Sequence, residues 1–217
     1  MPAMTMEFRA RNPVEFAKLR PGSRIQFNLR NGQAERVKIV SARFDPKEVD
    51  LSQAPPLPEI GQPIADFQLT NQQNRPTRLS DFRGKLVAIN FLYTRCPMPE
   101  VCPRLTASFA SLQRRFAGRP LALLSITLDP KFDTPGVLAA YAKTNAARWS
   151  FLTGDTAPVA RQFGMLAWAE EGVLIHNSTT ALIDPRGNLA ALVEGSNFRL
   201  EQLAALVGYH LEREFPQ

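Results

Sequence analysis

Residues 86–116 carry the clearest pattern of apolar and polar positions in the chain. The run Leu86-Val87-Ala88-Ile89-Asn90-Phe91-Leu92 is almost entirely apolar, which predicts a strand buried on both faces. After Pro103 the apolar residues recur at helical spacing, at Leu105, Phe109, Leu112 and Phe116. The pattern therefore predicts a buried strand, a loop and an amphipathic helix, in that order.

The rest of residues 59–217 alternates between strand and helix patterns. Strands are predicted at 65–70, 77–79, 121–128, 149–153, 172–175, 179–184 and 188–193. Helices are predicted at 134–143, at 158–163 and after a cap at Ser196 or Asn197. His210 is at the edge of the apolar face of this last helix, near its end, where a solvated histidine is expected. We expect this part of the chain to be an α/β domain.

Residues 1–50 show a period-two pattern that predicts a small all-β unit. Apolar residues alternate with polar ones in two runs, first Met4, Met6 and Phe8 and then Ile25, Phe27 and Leu29. Asn31-Gly32 is a strong hairpin signal between the second of these strands and a third at 35–44. The proline-rich segment 51–58 predicts a stiff connector to the larger domain, residues 59–217.

Composition narrows the classes of protein to which the chain can belong. The 217 residues allow one substantial domain and a small one, and 44% apolar residues are enough for a core. The net charge is +6, but no basic run interleaved with aromatic residues is present, which favours a solvated basic surface over nucleic-acid binding. No run of 18 or more apolar residues occurs, so no membrane span is expected.

Both cysteines of the chain lie in the loop between the buried strand and the amphipathic helix. Two thiols at this place are the layout of a thioredoxin-like site, because a helix N-terminus stabilises thiolate. Cys96 and Cys102 are separated by five residues, rather than by the two of a redox C-x-x-C pair. Prolines at 97, 99 and 103 favour an extended backbone in the residue before each of them. The loop therefore suits a clamp for a soft metal ion as well as it suits a disulfide.

Residues 60–215 resemble the Sco/SenC family, thioredoxin-fold copper-binding proteins that help to assemble the copper centre of cytochrome c oxidase. The matching segments are Phe91-Leu92-Tyr93-Thr94-Arg95-Cys96-Pro97, Cys102-Pro103, Ser125-Ile126-Thr127-Leu128-Asp129-Pro130, Asp133-Thr134-Pro135, Phe151-Leu152-Thr153-Gly154, and His176 shortly before Ala181-Leu182-Ile183-Asp184. The family motif has three residues between the cysteines, whereas this loop has five. The resemblance implies a thioredoxin-like fold for the larger domain.

The resemblance also implies a copper site made of Cys96, Cys102 and His176. Thiolates and an imidazole suit soft Cu(I), and the same residues can hold Cu(II) in a more tetragonal geometry. The corresponding family aspartate, Asp129, is implied to lie near the metal, whereas the ordinary alternative is that Asp129 and Pro130 only form a turn. The implied partner is a copper-accepting protein such as a cytochrome c oxidase subunit. The implied compartment is the periplasm or another extracytoplasmic space, and because residues 1–20 show no leader pattern, a mature or trimmed chain is expected.

The first residues resemble the latter part of CusF-like periplasmic copper-binding domains, five-stranded OB-type barrels. In that family two methionines and a histidine hold Cu(I) under a tryptophan. The two methionines map to Met4 and Met6, Met1 occupies the tryptophan position, and the upstream strands with the histidine are absent. Met4 and Met6 are therefore either a possible second copper site or simply the inward-facing residues of a strand, since two thioethers alone make a weak site. The unit is expected to be a partial OB-type barrel.

Three functions compete on these residues. The leading one is a copper-binding metallochaperone that transfers copper by ligand exchange rather than by catalysis. The alternative is a thiol-disulfide reductase with Cys96 and Cys102 as its redox pair, acting on the cysteines of a copper-accepting protein. Against it, segment 177–180 lacks the proline that thioredoxin-type oxidoreductases carry opposite their thiols. A peroxiredoxin is excluded, because Ile89 and Tyr93 occupy the proline and threonine places of its cysteine motif.

Overall fold

The computed structural model describes residues 9–10, 24–30, 33–41, 55–170, 173–196 and 198–216. The chain divides into two compact units, Met1–Ala54 and Pro55–Gln217. Among the described residues, none of the helices combines the length and the apolar character that a crossing of the bilayer requires.

The first unit contains a three-stranded sheet. Its strands are β1 (Arg9–Ala10), β2 (Arg24–Arg30) and β3 (Gln33–Ser41), in the order β1-β3-β2. β2 and β3 pair in antiparallel fashion with Arg30 opposite Gln33, which confirms the predicted hairpin pairing, and β1 runs parallel to β3. The predicted strand with Met4 and Met6 lies outside the described residues, and the OB-type barrel stays a prediction.

The second unit is built on a seven-stranded mixed sheet. Its strands are β4 (Gln68–Asn71), β5 (Pro76–Arg78), β6 (Leu86–Leu92), β7 (Leu121–Thr127), β8 (Ser150–Thr153), β11 (Thr179–Ile183) and β12 (Leu189–Glu194), in the order β12-β11-β6-β7-β8-β4-β5. The central strands β6, β7 and β8 are parallel, whereas β11 and β4 join them in antiparallel pairs. The helices are α1 (Cys102–Arg115), α2 (Pro135–Thr144), α3 (Thr156–Gln162) and α4 (Leu200–Glu214). The α/β architecture expected from the sequence is therefore confirmed.

Both faces of the sheet are covered, which explains the almost entirely apolar sequence of β6. Its even-numbered residues Leu86, Ala88 and Leu92 pack in one cluster with buried residues of α1, α2 and α4. Its odd-numbered residues Val87, Ile89 and Phe91 pack in a second cluster, which includes residues of α3. Because successive side chains of a strand point to opposite faces, a strand between two layers needs apolar residues at nearly every position.

A separate hairpin carries one of the predicted site residues. β9 (Ala167–Glu170) and β10 (Val173–His176) pair with each other as a two-stranded ribbon outside the seven-stranded sheet. His176 is the last residue of β10 and lies opposite Ala167. The next strand, β11, pairs with β6, so the chain after His176 returns beside the strand that leads into the cysteine loop.

The last helix differs from the prediction in where it begins and in the burial of His210. It begins at Leu200, not after a cap at Ser196 or Asn197, and the side chain of Gln202 accepts a hydrogen bond from the N–H of Arg199 at 2.8 Å. His210 is only 4% exposed, so its prediction as a solvated residue was wrong. It lies seven residues after Leu203, on the helix face that packs against the sheet, and burial lowers the pKa of its imidazole.

Candidate metal centre

The two cysteines flank the loop that joins the central strand β6 to helix α1. β6 ends at Leu92 and α1 begins at Cys102, with Pro103 in its first turn. Proline is tolerated there because the first N–H groups of a helix have no acceptor within it. Cys102 is fully buried, whereas Cys96 is partly exposed. One sulfur is thus held inside the protein and the other is accessible from outside.

The two cysteines form no disulfide, and each thiol is a hydrogen-bond partner of the other. This contact is the largest cause that lowers the pKa of Cys96 from 9.0 to about 5, with help from the backbone N–H groups of Met98 and Cys102. The same contact, followed by burial, raises the pKa of Cys102. The five-residue insert therefore brings the sulfurs together, with Cys96 as the thiolate and Cys102 as the proton donor.

Tyr93 stands between the cysteine loop and the β9–β10 hairpin. Its side chain is 3% exposed, and its hydroxyl donates a hydrogen bond to the carbonyl of Leu174 on β10 at 3.1 Å. The hydroxyl is also within hydrogen-bonding range of the Cys96 sulfur, and the pKa of Tyr93 is raised by burial and then by the charge of that sulfur. Its ring meets the ring of His176 edge to face, with 5.7 Å between the centroids. This contact role of Tyr93 was not predicted from the sequence, because the bond to Leu174 joins residues 81 positions apart.

His176 presents one free ring nitrogen. Its Nδ1 is 2.6 Å from the carbonyl oxygen of Asn177, which favours the tautomer with the proton on Nδ1. Its Nε2 is buried and has no hydrogen-bond partner in the part of the chain that the structure describes. The Asn177 side chain fixes this end of the hairpin, since it accepts from the N–H of Leu166 at 2.8 Å and donates to the carbonyl of Gly164 at 2.9 Å. An unpartnered buried lone pair is costly unless it has a ligand to bind.

The structure brings together two of the three predicted ligands. Cys96 and Cys102 touch, and His176 lies one aromatic ring away, against Tyr93. Among the described residues, no three His, Cys, Asp or Glu side chains are close enough together to hold one metal ion. The donor types nevertheless suit a soft metal, because two thiols and an imidazole with a free Nε2 are the ligands that such ions prefer.

Asp129 lies at the rim of the cysteine loop. Its carboxylate is 2.6 Å from the guanidinium of Arg95, the residue before Cys96, and the charge of Asp129 acts on Tyr93. The guanidinium of Arg95 also lies over the ring of Phe132, 4.1 Å from its centroid. No role was predicted for Arg95, because an ion pair between residues 34 positions apart leaves no local pattern in the sequence.

Asp133 anchors the beginning of the cysteine loop from inside the protein. Its side chain is fully buried and accepts hydrogen bonds from the backbone N–H of Thr94 at 3.1 Å and from the Thr94 hydroxyl. It also accepts a bond from the hydroxyl of Thr127, at the end of β7. The only sequence signal for this anchor was the match of Asp133-Thr134-Pro135 to the family. The three hydrogen bonds are needed because a buried carboxylate is costly without them. Met4 and Met6 lie outside the described residues.

Two family models match the chain, one for each unit. The model of SCO1/SenC matches residues 58–210, and the model of the copper binding periplasmic protein CusF matches residues 1–43. The mitochondrial SCO2 homologue of Mus musculus is 33% identical over 105 residues, which are 46% of this chain and 40% of that protein. The chain thus spans about two fifths of the length of this curated relative.

Solved structures similar to this chain share the fold of the second unit. A SCO1/SenC family lipoprotein from Bacillus anthracis is 28% identical with a TM-score of 0.62, over 71% of this chain and 99% of that chain. ScoI of Bradyrhizobium japonicum, solved with copper bound, is 25% identical with a TM-score of 0.59, over 70% and 99%. These likenesses confirm the thioredoxin-like fold expected from the sequence. Copper, the metal expected from the sequence, is the metal of proteins similar to both units.

Proposed function

Because this chain belongs to the SCO1/SenC family, we propose that it binds one copper ion between Cys96, Cys102 and His176 and delivers it to another protein. The observation that carries the proposal is the pair of free thiols that hydrogen-bond to each other across the loop before α1. Beside them lies a histidine whose buried Nε2 has no partner among the described residues. Two thiolates bind Cu(I) tightly, and an imidazole completes a three-coordinate site.

Binding requires His176 to approach the two sulfurs. The β9–β10 hairpin that carries it pairs only within itself among the described strands, and an isolated two-stranded ribbon is marginally stable. A shift of the hairpin toward the cysteine loop would let the Nε2 of His176 bind the copper. Asp129 is proposed to support the site from its rim through its ion pair with Arg95.

The accessible sulfur is proposed to be the point of transfer. Cys96 is partly exposed, so a ligand of the acceptor can reach a copper ion held there, whereas Cys102 is buried and retains the ion from inside. Transfer then proceeds by stepwise exchange of ligands. The proposed acceptor is a copper-accepting protein such as a cytochrome c oxidase subunit, and the proposed place is the periplasm or another extracytoplasmic space.

A transfer experiment tests delivery. The reduced chain is loaded with one equivalent of Cu(I) under anaerobic conditions and mixed with the metal-free copper domain of an oxidase subunit, and the two proteins are separated. We expect most of the copper to move to the acceptor, and to move faster than in a dialysis cell in which a membrane separates the two proteins. Equal rates with and without contact between the proteins would contradict ligand exchange.

One observation favours a second candidate, the thiol-disulfide reductase. The lowered pKa of Cys96 and the raised pKa of Cys102 are the asymmetry of an attacking and a resolving thiol. The Cys96 thiolate would attack a disulfide of the target, forming a mixed disulfide and releasing one target thiolate. Cys102, after losing its proton, would then attack the Cys96 sulfur, release the second target thiolate and leave a Cys96–Cys102 disulfide.

The oxidised acceptor distinguishes the two candidates. A reductase converts an acceptor disulfide to two thiols with equal loss of thiols from this chain, whether or not copper is present. A copper carrier leaves the acceptor disulfide intact and loads only the acceptor whose thiols are already reduced. Mass spectrometry after alkylation counts the thiols of both proteins.

A further inference from the structure

Tyr93 touches both halves of the candidate site at once. Its hydroxyl donates to the Leu174 carbonyl at 3.1 Å and lies within hydrogen-bonding range of the Cys96 sulfur. Its ring meets the ring of His176 edge to face at 5.7 Å. Leu174 and His176 belong to β10, whereas Tyr93 and Cys96 belong to the loop after β6. A single buried side chain therefore links the segment with the cysteines to the segment with the histidine.

The hairpin depends on such a link more than a strand of the main sheet would. Its two strands pair with each other, and they are not part of the seven-stranded sheet. The hydrogen bonds of Asn177 hold the base of the hairpin to residues 164 and 166, which precede β9 and do not belong to the cysteine loop. The bond from Tyr93 to Leu174 ties the hairpin to the cysteine loop itself, two residues before His176.

We propose that Tyr93 is the positioning residue that holds His176 in reach of the cysteine pair, and that it acts through its hydroxyl on the hairpin. The role of Tyr93 in holding the hairpin does not depend on the proposed function, whereas its effect on copper affinity does. The ring keeps His176 oriented with its Nε2 unpartnered, and the hydroxyl keeps β10 from moving away. Without the hydroxyl, His176 has to be ordered when the metal binds, and the entropic cost of this ordering lowers the affinity for the metal.

The consequence differs between the two oxidation states of copper. Two thiolates already satisfy much of the coordination of Cu(I), whereas Cu(II) prefers additional nitrogen ligands in a tetragonal geometry. A residue that acts through His176 should therefore affect Cu(II) more than Cu(I). Loss of one hydrogen bond predicts roughly a three- to tenfold lower affinity for Cu(II).

The first test measures the link in the metal-free protein. Tyr93→Phe keeps the ring and removes the hydroxyl, and Tyr209→Phe is the matched control, since Tyr209 is 58% exposed on α4. Amide hydrogen exchange is followed by NMR on the reduced chain. We expect faster exchange at Ile175 and Asn177 in Tyr93→Phe, and unchanged exchange in the control. The N–H of Asn177 donates across the hairpin to the Leu166 carbonyl at 3.2 Å, and the N–H of Ile175 points the same way two residues earlier, whereas those of Leu174 and His176 point outward. Unchanged exchange of β10 in Tyr93→Phe would overturn the proposal.

The second test is a double-mutant cycle read by copper spectroscopy. In Tyr93→Phe we expect weaker Cu(II) binding and a shift of the sulfur-to-copper charge-transfer band, with Cu(I) affinity changed less. In the background of His176→Ala, Tyr93→Phe should then have no further effect, because the two substitutions remove the same interaction. An equal effect of Tyr93→Phe in both backgrounds would show that Tyr93 acts on Cys96 instead and would overturn the proposal.

The two tests separate this inference from the proposed function. If the wild-type chain binds no copper, the proposed function fails, and the hydrogen exchange of β10 still decides whether Tyr93 holds the hairpin. If the wild-type chain binds copper and Tyr93→Phe binds it with the same affinity and spectrum, the proposed function stands and the positioning role fails.

Discussion

The carboxylate of Asp133 accepts hydrogen bonds from both the backbone N–H and the hydroxyl of Thr94, two residues before Cys96. A third bond comes from the Thr127 hydroxyl, at the end of the neighbouring strand β7. Asp133 is fully buried, so these bonds are what satisfies its charge. The position of the cysteine loop is thus fixed by a residue on a segment that carries no proposed ligand.

Asp133→Asn should destabilise the protein and loosen the loop. The asparagine side chain retains one acceptor oxygen, but its NH₂ group then faces hydroxyl groups that had donated to the carboxylate. We expect a loss of about 1–3 kcal/mol in the free energy of unfolding, the usual cost of leaving a buried partner unsatisfied. Urea unfolding measures it. Asp155→Asn is the matched control, because Asp155 is exposed and its side chain makes no capping bond, and equal losses in the two variants would contradict this role of Asp133.

Cys96 should react with alkylating reagents at mildly acidic pH. Its pKa is lowered from 9.0 to about 5, first by the hydrogen bond from Cys102, so it is a thiolate above that pH. The rate of alkylation by iodoacetamide should rise around pH 5 and level off well below pH 9. In Cys102→Ser, where a hydroxyl replaces the thiol donor, the midpoint should move. A single rise near pH 9 in the wild-type chain would contradict the lowered pKa.

The same group makes the stability of the fold depend on pH. Because the pKa of Cys96 is lower in the folded than in the unfolded chain, the folded state binds fewer protons between about pH 5 and pH 9. Its contribution to stability is therefore complete above pH 9 and is lost as the pH falls through 5. The difference in stability between the wild type and Cys96→Ser should grow as the pH rises across this window.

Oxidation should join Cys96 to Cys102 and abolish Cu(I) binding. The thiols are free and hydrogen-bond to each other, so oxidation can join their sulfurs in a disulfide. Mass spectrometry of the oxidised monomer should show the loss of two hydrogens, and Cu(I) should bind again after reduction. Two free thiols in the oxidised monomer would contradict the convergence of the sulfurs.

Met4 and Met6 should add no tight copper site to the chain as given. The CusF model matches residues 1–43, but two thioethers without a histidine make a weak site. We expect the double substitution Met4→Leu/Met6→Leu to leave the stoichiometry at one tightly bound copper per chain. A stoichiometry of two in the wild type that falls to one in this variant would show a working second site.

The sequence predicted secondary structure best where the pattern of apolar residues follows from which faces of an element are buried. The apolar run of β6 predicted a strand covered on both faces, and helical spacing after Pro103 predicted α1, because both patterns are set by the number of faces an element buries. His210 shows the limit of this reasoning. A histidine at the edge of an apolar stripe can point either way, and only the packing of α4 decides that it is buried.

The contacts around the cysteines were less accessible from the sequence. The bonds of Tyr93 to Leu174 and of Arg95 to Asp129 join residues 81 and 34 positions apart, and no local spacing encodes them. Strand β9 was not predicted, because its short run has no clear alternation, so the hairpin that carries His176 was missed as a unit. The sequence indicates which residue types can bind the metal, whereas the distances between these side chains depend on how the hairpin packs.

The central claim is that the two cysteines hold copper, and an anaerobic titration of the reduced chain with Cu(I) against a competing chelator tests it most directly. We expect one tightly bound copper, with affinity reduced more than about a hundredfold in Cys96→Ser and in Cys102→Ser, since loss of a residue that merely supports a ligand already costs 10–100-fold. His176→Ala should weaken binding to a smaller degree. An affinity in Cys96→Ser/Cys102→Ser equal to that of the wild type would contradict the account.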